Sequence, residues 1–333
     1  MAWSLVYLVY SFYPMLPWGG SIEESTAFFM QTVLGRQDPE TGEMWSLDDG
    51  LGAVQWHLAV AALLYWVIVF FCIFRGTKTV QKVVLVTVPL PFLIIFVLLF
   101  FGISREGSGS GIQSYVDPTM NPHALNSIDP WVDAVGQIFF GLSLCEGVMI
   151  AYASRQPIER KVVRNSWLIV IGSKCFVAHR IPLRTSHTSS ALNELTRATK
   201  DCSCSIIAGF AVFALLGHFS TVQGVSVDEI GIGSTFAVAF QTFPAAFTLF
   251  EGKGVPQLFA VLFFITLLSL GIDSSMSLVE AVVVAFVDAV PWCKERQTLV
   301  AAVTCAVGFL CSLIMCTKGG YDVLDIIDHY NAN

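Results

Sequence analysis

Residues Trp131–Ser154 read WVDAVGQIFFGLSLCEGVMIAYAS, and this stretch decides how the rest of the chain is interpreted. With a rise of about 1.5 Å per residue, a helix of this length can cross the hydrocarbon core of a bilayer. Its middle is unusual, because small and polar residues cluster there between two apolar halves. These residues are Gly141, Ser143, Cys145, Glu146 and Gly147. Such a cluster is tolerated at membrane depth where the backbone lines a cavity or is buried in protein.

Two interpretations of this cluster stay open. Secondary transporters build their substrate sites from helices that are broken near the middle of the membrane, where freed backbone groups face the solute. The alternative is a helix that flexes at its glycines and buries a protonated Glu146 among its neighbours. The first interpretation predicts a discontinuous helix with a solute site, and the second predicts packing alone.

The composition is that of a protein that crosses the membrane several times. The chain is 55% hydrophobic and only 13% charged, whereas soluble domains carry about 25% charged residues. Its nine cysteines form no CxxC pair with matching histidines or cysteines, so a zinc site is not indicated. It also has no phosphate-binding loop of the GxxxxGK type. We therefore expect a membrane protein.

Apolar segments and charged loops alternate along the chain. The apolar segments are 2–16, 55–74, 80–103, 131–153, 204–222, 256–290 and 298–316. The connecting loops are alternately rich and poor in lysine and arginine, and loops rich in these residues face the cytoplasm. We therefore expect the cation-poor loops 17–54, 104–130 and 223–255 to be extracellular. The pattern predicts an all-α, polytopic helical bundle with about seven spans.

A second unusual feature lies inside the segment 256–290, where Asp273, Ser274 and Ser275 follow one another. An unpaired carboxylate in a membrane is costly, and oxygen ligands suit hard cations. The sequence therefore predicts a sodium site at this point. The alternative is that Asp273 makes a hydrogen bond to a neighbouring helix for packing.

Several stretches match one known family in the same order along the chain. They are YSFYPMLPW (Tyr10–Trp18), RGTKTVQKVV (Arg75–Val84), VPLPF (Val88–Phe92), DPWVDAVGQIFF (Asp129–Phe140), YAS (Tyr152–Ser154), SIIAGF (Ser205–Phe210), LGIDSSMSLVE (Leu270–Glu280) and CTKGGYDVLDIIDHY (Cys316–Tyr330). Together they resemble the sodium-coupled neurotransmitter and amino-acid symporters, from the middle of the third helix to the start of the tenth. The resemblance implies a bundle of the inverted-repeat symporter type that is incomplete in this chain. We therefore expect that the chain as given does not transport alone.

The resemblance also implies roles for individual residues. The expected sodium ligands are Leu270, Asp273, Ser274 and Asp201. The expected substrate-binding residues are Phe140, Ser143, Glu146, Gly147 and Ser275. The expected chloride-linked region consists of Gln137, Gly141 and Ser205. Gly141 stands where the family usually has a hydroxyl, so chloride dependence is in doubt. Glu146 either pairs with a cationic group of the solute or, if dry, titrates with a raised pKa.

The polar stretch 173–201 interrupts the seventh-helix pattern of the family, which has asparagine where this chain has Asp201. Ser173 and Lys174 can be encoded by AGT-AAG, which contains a splice-donor sequence. Lys200 and Asp201 can be encoded by AAA-GAY, which contains a splice acceptor. Removing the intervening segment would join the two ends into an asparagine codon. We interpret 173–201 as a retained intron, and a genuine cytoplasmic insertion is the alternative.

The resemblance implies Na⁺-dependent symport of an amino acid, an amine or a related small solute across the plasma membrane. Symport implies no covalent chemistry, so we do not expect an enzyme. The expected partners are the solute and the lipid bilayer, with no nucleic acid, and oligomers with itself or with full-length relatives stay open. Two alternatives also stay open. One is a truncated isoform that acts on a full-length partner, and the other is a seven-helix receptor.

Overall fold

The computed structural model describes residues 1–38, 40–74, 76–117, 128–141, 147–154, 189–230 and 235–332. Within these ranges the regular structure is helical, without strands. The first helices are α1 (Ala2–Tyr10), α2 (Ile22–Ala27), α3 (Trp56–Ile73), α4 (Thr77–Thr87), α5 (Pro89–Ile103), α6 (Ser108–Val116), α7 (Asp129–Gly141) and α8 (Val148–Ser154). The later ones are α9 (Ser189–Gln223), α10 (Val227–Ile230), α11 (Thr235–Ala237), α12 (Phe243–Thr248), α13 (Val255–Ala289), α14 (Pro291–Lys294), α15 (Gln297–Met315) and α16 (Gly320–Ala332). Two π-helical turns, Phe28–Val33 and Val238–Thr242, continue α2 and α11, and Leu47–Asp49 form a 3₁₀ turn.

Five helical segments of the described chain are long and apolar enough to cross a membrane. They are Trp56–Ile73, Lys82–Ile103, Ser205–Gln223, Val255–Ala289 and Gln297–Met315. Each corresponds to one of the predicted apolar segments. The other two predicted segments form the short helix α1 and the pair α7 and α8. The all-α, polytopic fold predicted from the sequence is confirmed.

The discontinuous helix is also present in the described chain. Helix α7 ends at Gly141 and α8 begins at Val148. Gly147, directly before α8, has a φ of 76°. This left-handed conformation favours glycine and cannot continue a right-handed helix. Residues 142–146 lie outside the described part of the chain.

Helix α13 is the central element of the bundle. It packs against α1, α3, α4, α5, α8 and α15. Its buried residues include Phe264, Ser269 and Glu280, which lie along most of its length. A helix that contacts so many neighbours positions any site that its middle turns carry.

The long connecting loops meet at one end of the bundle, which we call the loop end. Ser25 Oγ donates a hydrogen bond to the carbonyl of Gln241 at 2.7 Å, so the loop after α1 contacts the segment before α13. The same loop contacts the last helix, because Arg36 Nη1 lies 2.8 Å from Asp322 Oδ1. These bonds hold the loop end together across distant parts of the sequence.

Aromatic side chains fill the space beneath these loops. This aromatic cluster consists of Trp3, Tyr7, Trp18, Phe28, Phe29, Phe236, Phe240, Phe264 and Tyr321. Phe29 and Phe240, which belong to the two π-helical turns, stack with ring centroids 5.8 Å apart. The Tyr7 hydroxyl donates to the Phe240 carbonyl at 2.6 Å. The π-helical turns therefore bring aromatic rings and a backbone acceptor to the same place.

The end of the predicted insert is helical. Residues 189–201 form the first part of α9, which continues without interruption to Gln223. Residues 155–188, which include the rest of the insert, lie outside the described part of the chain.

Candidate functional site

The candidate sodium ligands occupy the middle of α13. Leu270 and Ser274 lie one helical turn apart, and both side chains are exposed. The Ser274 hydroxyl donates a hydrogen bond to the Leu270 carbonyl at 3.3 Å. The structure therefore brings together two of the predicted oxygen ligands, a carbonyl and a hydroxyl, on an accessible surface of the helix.

Asp273 is half-buried, and its side chain contacts the bend between α4 and α5. Its Oδ1 atom accepts a hydrogen bond from the hydroxyl of Thr87 at 2.5 Å. This is the kind of contact that the packing alternative anticipates. A hydroxyl partner does not by itself exclude cation binding, because an ionised carboxylate has about four acceptor positions.

Ser275 has a different environment. Its hydroxyl lies 2.7 Å from the hydroxyl of Tyr65 on α3. Successive residues of a helix are separated by about 100°, so Ser274 and Ser275 point in different directions. The structure therefore gives this predicted substrate-binding residue a protein partner on α3.

Of the predicted substrate-binding residues around the helix break, the described ones lie at the end of α7 and directly before α8. Gly147 precedes α8, and α8 packs against α13. The helix that follows the break therefore packs against the helix that carries the candidate sodium ligands. Phe140 and Gly141 end α7, while Ser143 and Glu146 lie outside the described residues.

The predicted chloride-linked residues lie on two neighbouring helices. Gln137 on α7 and Ser205 on α9 are both exposed, and α7 packs against α9. Asp201 lies in α9, one turn before Ser205. The three residues thus lie on adjacent elements of the bundle.

Sequence analysis missed Thr87 and Tyr65. Thr87 also accepts a hydrogen bond at its carbonyl from Ser269 Oγ at 2.9 Å. We refer to Thr87, Ser269 and Asp273 as the polar seam. The sequence feature that indicates this seam is Pro91. A proline has no N–H group, so the carbonyl of Thr87, four residues earlier, lacks its usual helical donor. For Tyr65, the sequence feature is a phenolic hydroxyl inside the apolar segment 55–74, where it needs a hydrogen-bond partner.

Comparison with known proteins identifies the family to which this chain belongs. The sequence profile described as the Sodium:neurotransmitter symporter family matches residues 1–179 and 185–333. This chain belongs to the sodium:neurotransmitter symporter family. The residues that the profile does not match, 180–184, lie inside the polar stretch 173–201.

Named relatives within the sodium:neurotransmitter symporter family support the assignment. The human sodium- and chloride-dependent GABA transporter 2 is 34% identical over 355 residues, which cover 100% of this chain and 53% of the relative. The sodium- and chloride-dependent taurine transporter of Bos taurus is 30% identical, with 100% of this chain and 52% of the relative covered. The chain thus spans about half the length of the curated relatives it matches.

Family membership confirms the predicted resemblance and the multi-pass membrane location. The family is one of transporters and not of enzymes. The ligand assignments to individual residues stay predictions, and they are developed below.

Proposed function

We propose that this protein couples the inward movement of sodium to the transport of a small amino-acid-like solute across the plasma membrane. The observation that carries the proposal is the position of α13. Its middle turn presents Leu270, Asp273 and Ser274, and the helix packs against α8, which follows the break at Gly147. A symporter needs an ion site and a solute site close together, and a discontinuous helix beside an oxygen-rich turn provides both.

Sodium is a substrate of this reaction and would be held by oxygen atoms. The Leu270 carbonyl, the Asp273 carboxylate and the Ser274 hydroxyl are hard ligands of the kind that such cations prefer. Asp201 on α9 is proposed as a further ligand. The membrane potential contributes about 2.3 kcal/mol for each elementary charge moved across 100 mV. The carboxylate of Asp273 is the group through which the protein would use this energy, because it gives the entering cation a countercharge.

The proposed solute carries an ammonium group and an acidic group. The named relatives are transporters of GABA and of taurine, and both compounds have this pair of groups. In this protein the solute would lie beside Phe140, Ser143, Glu146, Gly147 and Ser275. Glu146 is proposed as the partner of the ammonium group, since a carboxylate that pairs with a cation avoids the cost of burying an isolated charge.

Chloride is a co-ion of the named relatives, and we propose that this protein depends on it less strongly. Gln137 and Ser205 are the proposed donors to the anion, whereas Gly141 supplies no hydroxyl. A donor that is missing beside a bound anion weakens binding, because each hydrogen bond to a charged group is worth about 1.5–3 kcal/mol.

The segment 223–255 is proposed as an extracellular lid. It is anchored to the loop after α1 by the Ser25 bond to Gln241 and by the Gln223 side-chain amide, whose Nε2 donates to the Gly20 carbonyl at 2.9 Å. A lid that is tied to a second loop moves with that loop, so closure over the solute would involve residues 17–54 as well.

Uptake measurements test the proposal. Because the chain as given is not expected to transport alone, the full-length product of its spliced transcript is expressed in oocytes, and the flux of radiolabelled GABA and taurine is measured in sodium medium and in choline medium. We expect saturable uptake of at least one solute in sodium medium, with loss of that uptake in Asp273→Asn. Uptake that is equal in choline and sodium media would contradict the proposal.

Sequencing the same transcript tests the interpretation of 173–201. A message that joins the codons after Gly172 to those before Cys202 supports the retained intron. A message that always keeps the segment in frame would show that the insertion is genuine.

A further inference from the structure

The bend between α4 and α5 has an unusual arrangement of backbone groups. Helix α4 ends at Thr87 and α5 begins at Pro89, yet both belong to one apolar span, Lys82–Ile103. In a regular helix the Thr87 carbonyl would accept from the N–H group of residue 91. Residue 91 is proline, so this donor does not exist. The carbonyl instead accepts from the hydroxyl of Ser269 on α13, at 2.9 Å.

The side chain of the same threonine also reaches α13. Thr87 Oγ1 lies 2.5 Å from Asp273 Oδ1 and 3.1 Å from the carbonyl of Val83 in its own helix. A hydroxyl has one hydrogen to donate. The shorter distance is typical of a charge-assisted O–H···O⁻ bond, so the hydrogen is assigned to the carboxylate.

Two other threonines of the bundle illustrate the more common arrangement. Thr266 on α13 donates to the carbonyl of Leu262 at 2.9 Å, and Thr304 on α15 donates to that of Val300 at 2.9 Å. Both bonds stay within one helix, which is the usual behaviour of a buried threonine hydroxyl. Thr87 alone of these three connects its helix to a carboxylate on another.

We propose that Thr87 is a positioning residue for sodium binding. It orients the Asp273 carboxylate, and through its carbonyl and hydroxyl it ties the ion site to the bend of the span Lys82–Ile103. The inference rests on the proposed function, in which Asp273 is a sodium ligand. Movement of the bend would then rotate Asp273, and sodium binding would in turn favour one shape of the bend.

The test measures the sodium concentration needed to raise the unfolding temperature of the purified protein, expressed from its own transcript and placed in lipid nanodiscs. Ligand that binds only the folded state raises its stability, so the half-maximal dose reports affinity. Choline chloride at equal ionic strength is the reference. Thr87→Val removes the hydroxyl while keeping the shape, and Thr87→Ser keeps the hydroxyl. Thr266→Val is the matched control.

We expect Thr87→Val to raise the half-maximal sodium dose by about tenfold, which corresponds to losing one hydrogen bond to a charged group. Thr87→Ser and Thr266→Val should stay within about twofold of the wild type. If Thr87→Val binds sodium like the wild type while Asp273→Asn does not, the positioning role is wrong and the proposed function survives. If sodium does not raise the unfolding temperature of the wild type, both the positioning role of Thr87 and the proposed function are overturned.

If Thr87→Val fails to fold, Pro91→Ala gives the second measurement. It restores an N–H group to compete with Ser269 for the Thr87 carbonyl, so we expect an increase in the half-maximal sodium dose. An unchanged dose in Pro91→Ala would contradict the coupling between the bend and the ion site.

Discussion

The aromatic cluster at the loop end and the polar seam lie on the same central helix, yet they use opposite chemistry. The cluster buries large rings, and Phe264 of α13 is among those that are fully buried. The seam begins at Ser269, a little further along α13, and consists of directional bonds to the bend at Thr87. Burial of rings contributes stability in proportion to area, whereas a few oriented bonds determine what the site can bind. Substitutions in the aromatic cluster should therefore change stability, whereas substitutions in the polar seam should change sodium binding.

The largest effect is expected in the aromatic cluster. Trp18 is 0% exposed, so Trp18→Ala should lower the free energy of unfolding by about 3–5 kcal/mol, because it leaves a cavity that the neighbours fill only in part. Denaturant or thermal unfolding in nanodiscs measures the change. Trp56→Ala is the control, since Trp56 is 76% exposed and its loss should change stability little. A small effect of Trp18→Ala would show that the cluster does not stabilise the fold.

A smaller loss is expected for Tyr7→Phe, which removes the donor to the Phe240 carbonyl. A buried carbonyl left without its partner costs about 1–3 kcal/mol. The control is Tyr10→Phe on the same helix, because no hydrogen bond of the Tyr10 hydroxyl is seen within the described residues. Equal unfolding temperatures for the two variants would mean that the Tyr7 bond contributes nothing to the contact between α1 and the turn Val238–Thr242.

Gly147→Ala tests the break with a change that affects backbone conformation alone. Among the described residues, no heavy atom beyond the adjacent residues lies within 4 Å of the position that a Cβ would take at Gly147 or at Gly224, and both have positive φ, +76° and +70°. Each alanine should therefore cost about 1–2 kcal/mol through its left-handed conformation. We expect solute uptake to fall further in Gly147→Ala than in Gly224→Ala, because Gly147 is a proposed solute-binding residue whereas Gly224 lies at the first turn of the proposed lid. Equal uptake in the two variants would show that the break at Gly147 is not part of the solute site.

The smallest change is expected for Asp322→Asn at the loop end. The pair that Asp322 forms with Arg36 is partly exposed, with 14% and 23% of the two side chains accessible, so solvent screening limits its contribution to about 0.5–1 kcal/mol. The effect should shrink further in high salt. A loss above about 2 kcal/mol would place this pair with the buried contacts of the cluster.

The sequence predicted the elements of this fold better than the contacts between them. Apolar segments of sufficient length identified the spans, and Gly141 together with Gly147 indicated the broken helix. The Thr87 bond to Asp273 was not predicted, because periodicity defines a face of a helix and not its partner on another. The π-helical turns around Phe29 and Phe240 were also missed, since they depend on tertiary packing.

The helical end of the insert has a simpler explanation. Residues 189–200 read SSALNELTRATK, and the alanine, leucine, glutamate, arginine and lysine among them favour helix whatever their polarity. Hydropathy therefore predicts where the apolar span resumes, whereas helix propensity explains why the polar residues 189–200 before it are also helical.

The central claim is that Asp273 holds a sodium ion, and equilibrium binding of ²²Na⁺ to the reconstituted protein tests it most directly. The comparison is between Asp273→Asn and Glu280→Gln, because Glu280 is a second acidic residue on α13 and is only 4% exposed. We predict that Asp273→Asn weakens sodium binding by about 100-fold, while Glu280→Gln stays within about twofold of the wild type. Sodium binding that survives in Asp273→Asn, or that is lost only in Glu280→Gln, would contradict the account.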